Sequence, residues 1–119
     1  MVLVDTSIWI DHFNRKNDEL EYLLVENQVV LHPYIIAEIA CGNLRQRNLI
    51  LSLLRAMPSV KILSMDEYFL FLEKNKLYGI GLGFVDVNIV GSSLLSNCQI
   101  YTRDKELNLA ASKFNIKYK

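Results

Sequence analysis

The chain has 119 residues, of which 51% are hydrophobic and 22% charged, so it is long enough to bury a core as one domain, residues 1–119. No apolar run approaches the roughly 18 residues that a membrane span needs, and no basic segment precedes the first apolar stretch, so neither membrane insertion nor secretion is expected. Thirteen basic residues balance thirteen acidic ones, so a phosphate ligand would have to be bound by local patches or metal ions rather than by an overall positive charge.

Short apolar or β-branched runs alternate with longer segments of helical periodicity along the whole chain. The predicted strands are, in chain order, residues 2–4, 28–31, 60–63, 99–101 and 116–118. The predicted helices between them begin, in order, near Thr6, Asp18, Pro33, Leu49, Ser64, Phe84 and Asp104. Because strands that alternate with helices favour βαβ units, we expect an α/β fold, with helices on both faces of a mainly parallel sheet of about five strands.

Local signals predict several of the helix ends. Pro33 suits the first turn of a helix, because its missing N–H has no partner there in any case. Ser64 and Glu67 have the spacing of a capping box. Gly42 is expected to end the helix that begins at Pro33. Gly91 lies inside the helix predicted for residues 84–96, where glycine is less favourable than alanine by roughly 1 kcal/mol.

Four acids lie close to points where a predicted strand ends and a helix begins. Asp5 directly follows the first strand, and Glu38 lies in the helix after the second strand. Asp86 is near the start of the helix 84–96, and Asp104 comes three residues after the strand 99–101. Ligands of open parallel sheets bind outside the carboxyl ends of the strands. The four acids are therefore candidates for one site.

The chemistry of such a site depends on whether the acids converge. Taken singly, Asp5, Asp86 and Asp104 are better explained as helix caps or dipole partners, a role that contributes about 1 kcal/mol. Glu38 fits that role least well, because the residues around it in its helix are apolar. Two carboxylates about 4 Å apart repel each other by roughly 4 kcal/mol at an effective dielectric constant of 20, so a cluster must hold protons or cations. Oxygen ligands without Cys or His favour Mg²⁺ or Mn²⁺ over zinc. Convergence therefore predicts metal-dependent hydrolysis of a phosphodiester by an activated water.

Four segments resemble the PIN-domain family, and in particular the ribonuclease toxins of VapBC toxin–antitoxin pairs: LVDTSIWID, HPYIIAEIACG, LGFVDVNIVGSSLL and IYTRDKELNLAA. They follow the family's order and extend over nearly the whole chain. The resemblance implies a PIN-like fold with catalytic acids that bind Mg²⁺ or Mn²⁺, here Asp5, Glu38, Asp86 and Asp104. It also implies supporting hydroxyl groups, here those of Ser7 and Thr102.

The same resemblance implies an endoribonuclease toxin that forms a homodimer and is inhibited by a cognate VapB-like antitoxin. A cytoplasmic location follows from the two cysteines, which are too few for a disulfide framework. Two basic pairs are candidate RNA contacts, although solvated surface charge explains them as well: Arg45 with Arg47, and Arg103 with Lys105. The aromatic-rich segment 66–78 is a candidate contact with a second copy or the antitoxin.

Two other functions stay open. One is a PIN-fold binding or regulatory module without turnover. The other is a different metal-dependent phosphohydrolase, such as a phosphatase with an aspartyl intermediate, although those enzymes generally need a second Asp at the position of Ser7. Asp11, Asn88 and Glu106 are weighed as helpers of the site, against simpler interpretations as an exposed helical acid, a solvated helix face and a first-turn dipole partner.

Overall fold

The computed structural model describes residues 1–119 and centres on three short parallel strands. They are β1 (Val2–Val4), β2 (Val29–Val30) and β3 (Gln99–Tyr101), in the order β2-β1-β3. All three residues of β1 are apolar and buried, as expected of a strand that is covered on both faces. The predicted α/β class with a parallel sheet is confirmed.

Two further segments extend the sheet by a single bridge at each edge. Leu31 pairs with Ser59 beside β2, and Ile100 pairs with Lys117 beside β3, both in parallel orientation. The expected strand at residues 60–63 does not form, because the chain leaves the sheet after this one bridge and soon begins a helix. The expected strand at 116–118 is likewise only a bridged segment. The sheet thus has three strands and two bridged edges instead of about five full strands.

Seven helices surround the sheet. They are α1 (Thr6–Asn14), α2 (Asp18–Val25), α3 (Pro33–Ala40), α4 (Arg47–Ala56), α5 (Met65–Lys74), α6 (Phe84–Ser96) and α7 (Lys105–Lys113). Both hydrogen bonds of the Ser64–Glu67 capping box are present at the start of α5. Gly42 does not act as a left-handed stop for α3, whose last turn passes into Cys41 with φ of −74°. None of the helices has the length and apolar character that crossing a membrane requires.

Helix α6 is the most deeply buried helix, with seven consecutive buried residues from Val87 to Ser93. Gly91 lies in the middle of this stretch. A Cβ atom at that position would come within 2.7 Å of Leu63 Cδ1 and 3.3 Å of Phe71 Cδ2. The glycine that lowers the helix propensity therefore lets α6 pack closely on α5 and on the segment before it. Because α6 is continuous and firmly packed, its N-terminal turn holds Asp86 in a defined position.

Candidate functional site

The ends of β1 and β3 lie side by side and bring Asp5 against the segment that follows β3. The backbone N–H of Asp5 donates to the carbonyl of Tyr101 at 2.9 Å. Thr102 Oγ1 donates to Asp5 Oδ2 at 2.7 Å. Asp5 is only 8% exposed, so this hydrogen bond holds a carboxylate that is largely withdrawn from water.

Two hydroxyl groups connect Asp5 to the loop between β3 and α7. Ser7 Oγ donates to Asp5 Oδ2 at 3.1 Å and accepts the backbone N–H of Arg103 at 3.2 Å. Thr102 Oγ1 donates to the same carboxylate oxygen and accepts the backbone N–H of Asp104 at 3.0 Å. Each hydroxyl therefore fixes both the carboxylate and the loop. Ser7 does not cap α1, whose N-cap is Asp5 and lacks a side-chain capping bond.

Glu38 reaches the same region from α3. Its Oε1 accepts a hydrogen bond of 2.7 Å from Thr6 Oγ1. Ile35 and Ile39 are buried on a neighbouring face of this helix, while Glu38 is exposed. Thr6 was missed as a site residue in the sequence, although it is a hydroxyl residue directly after Asp5. The contact ties the start of α1 to the middle of α3.

The pKa of the Asp86 carboxyl depends on its burial and on the charges of the other three acids. Burial raises the pKa of its carboxyl, and the negative charges of Asp104, Asp5 and Glu38 raise this pKa further, while a hydrogen bond from the Gly83 backbone N–H lowers it. That N–H donates to Asp86 Oδ2 at 3.3 Å. All three other acids are therefore close enough for their charges to act on Asp86.

Asp104 has one of the roles considered from the sequence, that of a helix cap. It is the N-cap of α7, and its Oδ2 accepts the backbone N–H of Leu107 at 2.9 Å. The interpretation as a helix cap is thus correct for this residue. Because the cap uses one carboxylate oxygen, the other oxygen is left without a hydrogen bond in the protein.

The other three acids resemble Asp104 in using only one carboxylate oxygen for hydrogen bonds within the protein. Asp5, Glu38, Asp86 and Asp104 each accept hydrogen bonds through one carboxylate oxygen only. This leaves four hard oxygen donors, a set that fits Mg²⁺ or Mn²⁺ in chemistry. No three His, Cys, Asp or Glu side chains lie close enough together to hold an ion directly. An ion here would contact some of the acids through water, as Mg²⁺ commonly does.

The residues weighed as helpers lie in different surroundings. Asn88 is buried, not part of a solvated helix face; its Nδ2 donates to the Phe84 carbonyl at 2.9 Å and its Oδ1 has no partner. Glu106 lies against Gly81 in the loop before α6. Asp11 forms an ion pair with Arg103 in which the nitrogen and oxygen are 2.8 Å apart.

The candidate RNA contacts lie in two separate parts of the surface. Arg103 and Lys105 flank Asp104, and both are exposed. Arg45 lies in the turn between α3 and α4, and Arg47 is the first residue of α4 and donates to the Gly42 carbonyl at 3.2 Å. Arg45 helps to line a cleft of about 600 Å³ between this turn and Phe13 of α1.

Comparison with known proteins agrees with this geometry. The sequence profile of the PIN domain matches residues 2–113. The chain is 36% identical to Ribonuclease VapC32 of Mycobacterium tuberculosis over 117 residues, which cover 98% of this chain and 94% of that protein.

Two crystal structures have the same fold. The VapC20 toxin of M. tuberculosis, described as cleaving the sarcin–ricin loop, has a TM-score of 0.68 at 18% identity and covers 92% of this chain and 95% of its own. FitAcB of Neisseria gonorrhoeae has a TM-score of 0.64 at 20% identity and covers 94% of both chains. The profile match and the VapC32 identity both extend over nearly the whole chain. The chain belongs to the PIN-domain family and is a VapC-like member of it.

Proposed function

We propose that this chain is a Mg²⁺- or Mn²⁺-dependent endoribonuclease, the toxin of a VapBC-type toxin–antitoxin pair. The family depends in general on divalent metal ions. The observation that carries the proposal for this chain is that Asp5, Glu38, Asp86 and Asp104 each keep one carboxylate oxygen free of hydrogen bonds in the protein. Burial, and then the charges of the other three acids, raise the pKa of Asp86. Four carboxylates that repel one another destabilise the fold unless a cation offsets their charge. A metal-binding role explains why the chain keeps all four.

In this proposal Asp5, Glu38, Asp86 and Asp104 hold the metal, some of them through bound water, by the oxygens that accept no hydrogen bond in the protein. The bound ion would supply an activated water and offset the negative charge of the RNA phosphate. The chain's own groups keep the acids in position. Ser7 and Thr102 orient Asp5, Thr6 orients Glu38, and the Gly83 N–H orients Asp86.

The substrate and partners follow from the relatives and from the surface. RNA is proposed because the 36% identical relative is named a ribonuclease. Arg103 and Lys105 would bind RNA phosphates beside the acids, with Arg45 and Arg47 as a second basic pair. A VapB-like antitoxin and a second copy of the chain are proposed as protein partners. Apolar residues exposed on α4 and α5 offer surface for these contacts, namely Leu49, Leu53, Phe69 and Leu70. The free thiols of Cys41 and Cys98 are consistent with the cytoplasm as the site of action.

Cleavage of end-labelled RNA by wild type and by Asp5→Asn tests the proposal, with Mg²⁺, with Mn²⁺ and with chelator. Asp18→Asn is the matched control, because Asp18 is an acid whose side chain is 94% exposed. Wild type and Asp18→Asn are expected to cut RNA only with metal, and Asp5→Asn is expected to lose at least about 100-fold in rate. Equal cleavage by wild type and Asp5→Asn would show a contaminating nuclease. RNA binding without cleavage by wild type would favour a binding module instead.

A further inference from the structure

We propose that Asp11 is a positioning residue that holds the guanidinium of Arg103 ready to bind an RNA phosphate next to the bond that is cut. The inference rests on the proposed function, since it names a further residue of the same RNA-cleaving site. It separates Arg103 from the other three candidate RNA contacts, Arg45, Arg47 and Lys105, because among these four only Arg103 forms an ion pair with an acid.

Helix α1 holds Arg103 at two points that are one helical turn apart. The backbone N–H of Arg103 donates to Ser7 Oγ at 3.2 Å. The Nη2 atom of Arg103 donates to Asp11 Oδ2 at 2.8 Å. Ser7 and Asp11 are four residues apart, so they lie on the same face of α1. The backbone and the side chain of Arg103 are thus both aligned along this face.

Asp11 is in turn held from the side of α2. Asn17 Nδ2 donates to Asp11 Oδ2 at 3.3 Å. Asn17 is buried, with 8% exposure, and its Oδ1 accepts the Leu20 backbone N–H as the N-cap of α2. Because Asn17 is fixed by this cap, the carboxylate of Asp11 has a defined position before any ligand arrives.

The guanidinium retains donors for a ligand. An arginine side chain has five N–H groups, and only Nη2 is engaged in the protein. The Arg103 side chain is 59% exposed, whereas that of Asp11 is 27% exposed. The exposed N–H groups suit the bidentate geometry with which arginine binds phosphate. Asp11 therefore orients the group without occupying the face that meets RNA.

The position favours a neighbouring phosphate over the reacting one. Asp11 lies six residues beyond Asp5, or about 9 Å along the axis of α1. An exposed ion pair adds little to stability, so the fold alone gives a weak reason for this arrangement. Binding is favoured when a side chain is already ordered, because less rotamer entropy is lost. The expected effect of Asp11 is therefore on RNA binding.

Steady-state cleavage of a short RNA by four variants tests the inference: Asp11→Ala, Arg103→Ala, the double variant and Glu21→Ala. The control removes an acid from another exposed ion pair, Lys16–Glu21, with a nitrogen–oxygen distance of 3.2 Å. Asp11→Ala is expected to raise KM about threefold to fivefold with little change in kcat, and Arg103→Ala at least as much. The double variant should match Arg103→Ala, because Asp11 acts through Arg103. Glu21→Ala should match wild type.

Asp11→Glu supplies a conservative rescue, because it keeps the charge, and its KM should lie between those of wild type and Asp11→Ala. An unchanged or lower KM in Asp11→Ala, or additive effects in the double variant, would overturn the inference while leaving the proposed function intact. If Asp11→Ala lowered both kcat and the thermal unfolding midpoint while KM stayed constant, the inference would likewise be overturned. That is the result expected of a purely structural role. Absence of RNA cleavage by wild type would instead contradict the proposed function itself.

Discussion

Thr102 and Asp5 are 97 residues apart in sequence, yet Thr102 Oγ1 donates a 2.7 Å hydrogen bond to Asp5 Oδ2. The same hydroxyl accepts the backbone N–H of Asp104. One buried side chain thus sets the relative position of two proposed metal-binding acids. The positions of Asp5 and Asp104 therefore depend on this hydroxyl.

Replacing Thr102 by Val removes the hydroxyl and keeps the shape of the side chain. Asp5 then loses a donor and the Asp104 N–H loses its acceptor, which should lower the free energy of unfolding by about 1 to 3 kcal/mol. Cleavage of RNA should fall about 10- to 100-fold, as is typical when a group that orients a metal ligand is lost. Thr102→Ser retains the hydroxyl and serves as the control. Equal activity of the Val and Ser variants would show that the hydroxyl does not support the site.

Replacing Asp86 by Asn should stabilise the protein when the metal is removed by chelator. Burial and the three neighbouring acids raise the pKa of Asp86, so wild type loses stability as pH rises through the folded-state pKa. Asn has no charge to repel, and its Oδ1 can still accept the Gly83 N–H. Thermal unfolding at neutral pH should show a higher midpoint for Asp86→Asn, with a smaller difference in acid. Asp18→Asn is the control, because its carboxylate is exposed. An unfolding midpoint below that of wild type in Asp86→Asn, but not in Asp18→Asn, would contradict mutual repulsion among the four acids.

His32 should make the stability depend on pH. It is the fully buried N-cap of α3, where its Nδ1 accepts the Tyr34 N–H at 3.0 Å and its Nε2 lies 3.2 Å from Ser92 Oγ of α6. Burial lowers its pKa to about 4 from 6.5, so between these values the unfolded chain binds more protons than the folded one. The stability that neutral His32 provides is complete above about pH 6.5 and is lost as pH falls toward 4, by at most about 3 kcal/mol.

The variant His32→Asn tests this dependence, because Asn can still accept the Tyr34 N–H as the helix cap but does not titrate. Chemical unfolding at pH 7 and pH 5 should show a smaller loss of stability for the variant than for wild type. Equal losses in the two proteins would mean that His32 does not titrate on unfolding.

Gly91→Ala tests why a glycine occupies the middle of α6. The new Cβ would lie 2.7 Å from Leu63 Cδ1, and overpacking of this kind costs about 1 to 3 kcal/mol, whereas better helix propensity returns about 1 kcal/mol. We expect a net loss of stability in the wild-type background. In Leu63→Ala the 2.7 Å contact is absent and the 3.3 Å contact with Phe71 Cδ2 remains, so adding Gly91→Ala should cost less stability than in the wild-type background. A stabilising effect in the wild-type background would show that propensity alone governs the position.

Much of the fold could be predicted because its signals are local. The Ser64–Glu67 capping box and Pro33 in the first turn of α3 identify helix starts from neighbouring residues alone. Local signals could not show that residues 60–63 fail to form the expected strand. Its apolar residues Val60 and Leu63 do enter the core, but whether they pair as a strand depends on β2, which is only two residues long.

The four acids proposed as metal ligands could be selected from their positions near strand ends and from the family resemblance. Their supporting contacts could not be predicted. Thr6 looks like a capping residue in the sequence, but it bonds to Glu38, and Asp11 looks like an exposed helical acid, but it pairs with Arg103. These contacts join residues 32 and 92 positions apart, so they depend on tertiary packing that one sequence does not reveal.

Binding of Mn²⁺ to wild type and to four single variants, followed by electron paramagnetic resonance, tests most directly whether the acids form one metal site. The variants are Asp5→Asn, Glu38→Gln, Asp86→Asn and Asp104→Asn, with Asp18→Asn as the control. We predict that wild type and the control bind Mn²⁺ with the same affinity, and that each site variant binds at least about 10-fold more weakly. Unchanged affinity in all four site variants would contradict a shared metal site at the carboxyl ends of the strands.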